Sequence, residues 1–148
     1  MAIICIVIVL VIFAADMFIK NKIEQDANLP RKLWKGRICV ERYHNTGAAL
    51  NFFHKKQKLV AVISVLLTLF TLVLLIATFA VKGNNLLKAG LALILGGAFS
   101  NTYDRLRRKY VVDYVRFPVK WKRLANIVFN ISDFCIIAGA LICCLSAE

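Results

Sequence analysis

The sequence predicts an all-α membrane protein of four transmembrane helices, with a small β-platform between the first and the second. Three observations carry that expectation. Hydrophobic residues make up 60% of the 148 positions and the mean hydropathy is +0.71, more apolar surface than a water-soluble domain of this length can hide. Four apolar runs, at about 1–20, 59–81, 86–103 and 124–147, each reach the ~17–25 residues that a helix needs to cross a bilayer. The charge lies between them: of 20 Lys and Arg, ten fall within 20–58 and eight within 105–123. A single integral membrane domain over 1–148 is expected.

In order along the chain, the first run ends in Asp16 and Lys20. It has no basic n-region and no Ala-x-Ala site, so it is expected to stay as a permanent span. Asp16 and Lys20 are four apart and share a helix face, as an interfacial ion pair or as support for a site. Pro30 and the alternation from Gly36 to Tyr43 suggest a short pair of strands that forms a platform at the membrane surface. Asn45-Thr46-Gly47-Ala48-Ala49-Leu50 follows, readable as a turn or as a place where a backbone comes close. Phe52 and Phe53 re-enter the interface, and residues 55–58 mark the boundary of the second span.

That second span carries no charge and reads as a helix without functional punctuation. Gly83-Asn84-Asn85 closes a helical hairpin. The third span holds Gly90, Gly96, Gly97, Ala98 and Ser100, small enough to admit another backbone, and ends in Asn101, Asp104 and Arg105. Residues 107–123 are too charged to cross hydrocarbon, but Val111-Val112-Asp113-Tyr114-Val115 suggests a segment dipping into the interface, and Trp121 suits an interfacial anchor. In the last span Asp133 would lie on the order of 10–15 Å along the helix from Leu124. An ionisable side chain at that depth points to function. The five cysteines, Cys5, Cys39, Cys135, Cys143 and Cys144, show neither a disulfide framework nor zinc spacing.

Helix parity puts Asp16, Asn45, Asn101, Asp104, Asp113 and Asp133 on one face of the membrane, while Lys82, Asn84, Asn85 and Lys88 fall on the other. Two aspartates gathered in a poorly solvated place cannot easily both ionise. One then acts as acid and the other as base toward water and an amide carbonyl, while neighbouring Asn and Arg groups steady the oxyanion. That is the chemistry of intramembrane peptide hydrolysis.

The residues resemble the bacterial lipoprotein signal peptidases, intramembrane aspartyl proteases, over most of the chain. Asp16 with Lys20, Asn45-Thr-Gly-Ala-Ala, the run Gly96-Gly-Ala-Phe-Ser-Asn-Thr-Tyr-Asp-Arg105, Val111-Val-Asp-Tyr114 and Phe129-Asn-Ile-Ser-Asp133 stand in the order of that family's five motifs. The resemblance implies that Asp113 and Asp133 are the catalytic dyad, with Asp16, Lys20, Asn45, Gly47, Asn101, Asp104, Arg105 and Asn130 as supporting or substrate-binding residues. It implies four spans in the bacterial cytoplasmic membrane, a β-platform and an amphipathic piece on the outer face, and a site open to that face. The substrate would be a diacylglyceryl-modified prolipoprotein, cut before its lipidated cysteine, with no metal or organic cofactor. Ser100 departs from the family's usual Gly, Leu50 from a common Phe, and Ser132 and Phe134 from small neighbours of Asp133, which bears on substrate preference.

Other readings stay open on the residues alone. The same polar cluster could serve a non-catalytic membrane protein that binds lipid or exported peptides, or a small cation carrier. The net charge of +12 would suit anionic lipid head groups or an acidic partner, whereas nucleic acid lacks the aromatic-interleaved basic motif it would need. A positive-inside count makes the side of the first and third connections cytoplasmic, opposite to the orientation that the resemblance implies.

Overall fold

The computed structural model describes residues 1–47, 56–121 and 125–146. Ala48 and Ala49 of the second motif, Leu50, Phe52 and Phe53, which are expected to re-enter the interface, Lys55, and the start of the fourth run at Leu124 lie outside them. The described elements are α1 (Ala2–Gln25), β1 (Arg31–Leu33), a short 3-10 turn (Trp34–Gly36), β2 (Ile38–Asn45), α2 (Gln57–Thr78), α3 (Asn85–Arg107), β3 (Val111–Arg116), β4 (Val128–Phe129) and α4 (Ile131–Leu145).

α1 and α2 are long and apolar enough to cross a membrane. Their apolar side chains face outward: Ile3, Val7, Leu10 and Phe18 on α1, and Leu66, Leu67, Phe70 and Val73 on α2, are each more than half exposed. A continuous apolar exterior of this kind suits lipid rather than water. α3 is the central helix and packs against α4, α1 and α2. Its glycines set how close the neighbours come. A Cβ on Gly96 would meet Ile12 of α1 at 3.0 Å, and one on Gly97 would meet the Ser132 carbonyl oxygen of α4 at 2.5 Å. Adjacent glycines thus admit one helix on each side. At the α2–α3 turn, Gly83 (φ +89°) and Asn84 (φ +42°) adopt the left-handed conformation, and the Asn84 side chain caps α3 by accepting from the Leu87 N–H at 3.1 Å.

Two expectations need correction. The platform is not confined to the connection between the first two helices. A four-stranded antiparallel sheet in the order β1-β2-β3-β4 recruits both strands of its far half from the third connection. The segment read as dipping into the interface is its third strand. The fourth helix also starts later than the apolar run implied. Val128–Phe129 pairs with Val115 and Arg116 as a strand, Asn130 is the N-cap, and Asp133 lies in the first turn of α4 rather than ~10–15 Å into it. An unbroken apolar run cannot by itself separate strand from helix.

Candidate active site

β3 alternates its two faces, as any strand must. Val112 and Tyr114 pack toward Ile23 and Ile19 of α1, while Val111 and Asp113 line a cavity of about 490 Å3. Asn45, Asn101, Arg105 and Asp133 line the same cavity, together with the apolar Leu67, Ile127, Val128, Ile136 and Ile137. It is a mostly greasy pocket with a few convergent polar groups.

Asn130 connects the two aspartates. Its Nδ2 donates to Asp113 Oδ1 at 2.6 Å and to Asn101 Oδ1 at 3.2 Å, using both amide hydrogens. As the N-cap of α4 it also forms a capping box: its Oδ1 accepts from the Asp133 N–H at 2.9 Å, and its own N–H donates to Asp133 Oδ2 at 3.0 Å. Asn101 Nδ2 then donates to Asp133 Oδ1 at 3.0 Å, and Asn45 Nδ2 to Asp113 Oδ2 at 3.0 Å. Both carboxylates are held on both oxygens by amide donors. Arg105 borders the site, donating to the carbonyls of Gly47 and Asn101 at 3.2 Å each. Asn45 Oδ1 in turn accepts from the Gly47 N–H at 3.0 Å.

Burial, and after it the neighbouring Asp133 charge, push the Asp113 carboxyl up to about 7 against the pull of the Asn45 and Asn130 amides and the Lys20 ammonium. Burial thus favours the protonated form of this carboxyl.

Beneath the cavity lies a second polar layer. Lys20 and Asp16 are fully buried, so they are an interior pair rather than an interfacial one. Lys20 Nζ lies 2.8 Å from Asp16 Oδ2 and 3.0 Å from Asp104 Oδ2, and it also donates to Ser100 Oγ and Asn101 Oδ1. Asp104 and Arg105 are neighbours in the chain but separate in the structure. Arg105 faces the cavity, whereas Asp104 is buried against Lys20, the Val112 N–H and Arg108, whose Nε is 3.2 Å away. Two carboxylates and two cations thus offset one another, which is the condition for keeping charge in a dry interior.

Some contributors were not read from the sequence. Nothing in the sequence of the second span marks it as functional, yet Ser64 and Thr68 line the cavity with Thr102. Thr68 Oγ1 meets Thr102 Oγ1 at 2.8 Å and donates to the Ser64 carbonyl at 2.8 Å, tying α2 to α3. Phe134 packs edge-on against Phe117 with ring centroids 6.2 Å apart, and tilted against Phe129 at 5.6 Å, beside the cavity that Phe129 lines.

The sequence model described as "Signal peptidase (SPase) II" matches residues 8–147. The chain belongs to the signal peptidase II family. A lipoprotein signal peptidase of Caldicellulosiruptor bescii is 29% identical over 137 residues, covering 92% of this chain and 85% of that protein. One from Halothermothrix orenii is 30% identical over 138 residues, covering 90% and 88%. A bacterial membrane enzyme solved by the in meso method at 2.3 Å superposes with a TM-score of 0.81 at 20% identity, over 97% of this chain and 86% of that one. A second, at 1.9 Å, gives 0.77 over 97% and 91%. Those likenesses show the fold, a mostly helical membrane protein with a small antiparallel sheet. Membership in the signal peptidase II family makes the chain a protease.

Proposed function

We propose that the protein is an intramembrane aspartyl endopeptidase that removes signal peptides from diacylglyceryl-modified prolipoproteins, cutting before the lipidated cysteine. The observation that carries this reading is the Asp113–Asn130–Asp133 connection lining a largely apolar cavity, in a chain of the signal peptidase II family whose relatives are named for lipoprotein processing. The apolar wall of Leu67, Ile136 and Ile137 suits an acylated substrate, and the polar rim suits its peptide.

Asp113 holds the proton and Asp133 acts as the base. Asp133 takes a proton from water as the water oxygen bonds to the scissile carbonyl carbon, and Asp113 gives its proton to the carbonyl oxygen, leaving a neutral diol. In the second half Asp133 returns its proton to the departing nitrogen while Asp113 takes one from a diol hydroxyl. The C–N bond then breaks to give a carboxylic acid and an amine, with the dyad back in its starting state. Arg105, on the cavity wall, favours charge developing on the oxygen.

The four helices are read as four spans of a bacterial cytoplasmic membrane, with the sheet and the dyad toward the extracytoplasmic side. Trp34 and Trp121, 77% and 80% exposed, serve as interfacial anchors, and the basic connections hold anionic lipid. A reporter fused to the C-terminus tests the orientation, which an extracytoplasmic signal would overturn. The activity is tested by incubating purified protein with a lipidated precursor peptide. Cleavage before the modified cysteine that disappears in Asp113→Asn and Asp133→Asn supports the dyad, and cleavage retained in either rules it out.

A further inference from the structure

Asp16 sits outside the cavity lining, yet its carboxylate collects three hydroxyls from three other elements. Ser100 Oγ donates to Oδ2 at 2.6 Å, Ser132 Oγ donates to the same oxygen at 2.5 Å, and Tyr114 Oη donates to Oδ1 at 2.9 Å. Asp16, Ser100 and Ser132 are fully buried, and Tyr114 is 4% exposed. Each hydroxyl belongs to a chain neighbour of a site residue: Tyr114 follows Asp113, Ser132 precedes Asp133, and Ser100 precedes Asn101. Tyr114 does more, because its oxygen also accepts from the Ile131 N–H at 3.0 Å. That N–H belongs to the first turn of α4, where no helical carbonyl can pair it.

We propose that Tyr114, Ser132 and Ser100 are positioning residues that act through Asp16 to fix Asp113, Asp133 and Asn101 relative to one another. Asp16 lies on α1, Tyr114 on β3, Ser132 on α4 and Ser100 on α3. One carboxylate therefore clasps all four elements behind the cavity. Lys20, 2.8 Å from Asp16 Oδ2, offsets the charge and lets Asp16 remain a strong acceptor in a dry setting. Rotation of the first turn of α4 would carry Asp133 off the reacting atoms, and the paired bonds to Ser132 Oγ and the Ile131 N–H oppose it. A small misplacement of a reacting group is enough to cost rate without costing binding.

This inference rests on the dyad reading, and the experiment separates the two. Tyr114→Phe, Ser132→Ala and Ser100→Ala are assayed with the lipidated precursor peptide beside wild type, Asp113→Asn and Thr71→Val. Thr71 supplies the control because its hydroxyl bonds back to the Leu67 carbonyl within α2. Expected is a fall in kcat of about tenfold per variant with KM within about twofold, measured per folded molecule from thermal unfolding of each preparation. Tyr114→Phe combined with Ser132→Ala should lose less than the product of the single losses, since both act on one carboxylate. A kcat per folded molecule no lower than that of Thr71→Val overturns the proposal, as does a strictly multiplicative double variant. An active Asp113→Asn overturns the dyad and this inference together, whereas an inactive Asp113→Asn beside fully active hydroxyl variants overturns this inference alone. Should Tyr114→Phe not fold, the two serine variants and their pairwise combination decide in the same way.

Discussion

Around Asp16 and Asp113 the elements are joined by amides, hydroxyls and paired charges, whereas around Cys5 and Leu91 the same helices meet through apolar side chains. The second region is a cluster of Cys5, Leu75, Leu91, Ala92 and Leu95, with Ile8, Val9, Leu72, Leu87 and Cys143 packed on it. Beside it is an apolar cavity of about 280 Å3 lined by residues such as Ile6, Leu72 and Phe79. One bundle thus uses two kinds of adhesion. Shape complementarity joins the apolar end, and it tolerates small shifts because dispersion contacts are many and individually weak. The polar end is directional, and each lost partner leaves a buried group unsatisfied. Precision of aim is therefore concentrated where the aspartates lie.

On the proposed reading, the sharpest break of that contrast comes from Asp113 and Asp133. Asp113→Asn or Asp133→Asn should lower kcat by roughly 1000-fold or more while the protein still inserts and keeps its helix content, measured by peptide cleavage and circular dichroism. Lys20→Met comes next. It leaves Asp16 and Asp104 without their shared cation and should cost about 3–5 kcal/mol of stability, read from unfolding in detergent; a loss under about 1 kcal/mol would show that the lower layer does not depend on charge balance. Gly97→Ala should cost about 1–3 kcal/mol and lower kcat, because its Cβ would collide with the Ser132 carbonyl and push α4 from α3.

A pH titration is the fourth test. The Asp113 carboxyl is raised from 3.8 to about 7, so the folded protein binds a proton that the unfolded chain has released between those values. Stability contributed by that proton is present below pH ~4 and is lost as pH climbs to ~7. The rate should follow the same proton and fall about tenfold between its plateau and pH ~8. A flat profile from pH 6 to 8 would contradict the assignment of the acid. Least affected should be Leu75→Ala at the apolar end. It should lower the unfolding temperature but leave kcat per folded molecule within about twofold, and a large kcat loss there would erase the distinction between the two ends.

How much of this was legible in the sequence depended on the kind of residue. Charged and amide side chains in apolar runs stand out, so Asp16, Lys20, Asn101 and Asp133 could be singled out by type alone. Hydroxyls could not. Ser64 and Thr68 satisfy themselves on carbonyls four residues back, and a hydropathy scan passes over them. Ser100 and Ser132 stand out in the sequence only as departures from a pattern, and the shared acceptor that gives them a use appears only in the structure. The β3–β4 pairing was hidden because Val128–Phe129 continues an apolar run. A signal was available nonetheless: Asn130-Ile-Ser-Asp133 has the spacing of a helix cap, which places the helix start after the strand.

Asn130 has a consequence for how such an enzyme is made. Its side chain both starts α4 and touches Asp113, so winding the first turn of that helix and completing the site are one event. A polypeptide leaves the ribosome N-terminus first, and Asp16, Asn45, Asn101 and Asp113 all precede Asn130 and Asp133. On the dyad reading, a half-synthesised chain in the bilayer is harmless to its neighbours, and the ability to cut arrives together with the helix that finishes the bundle.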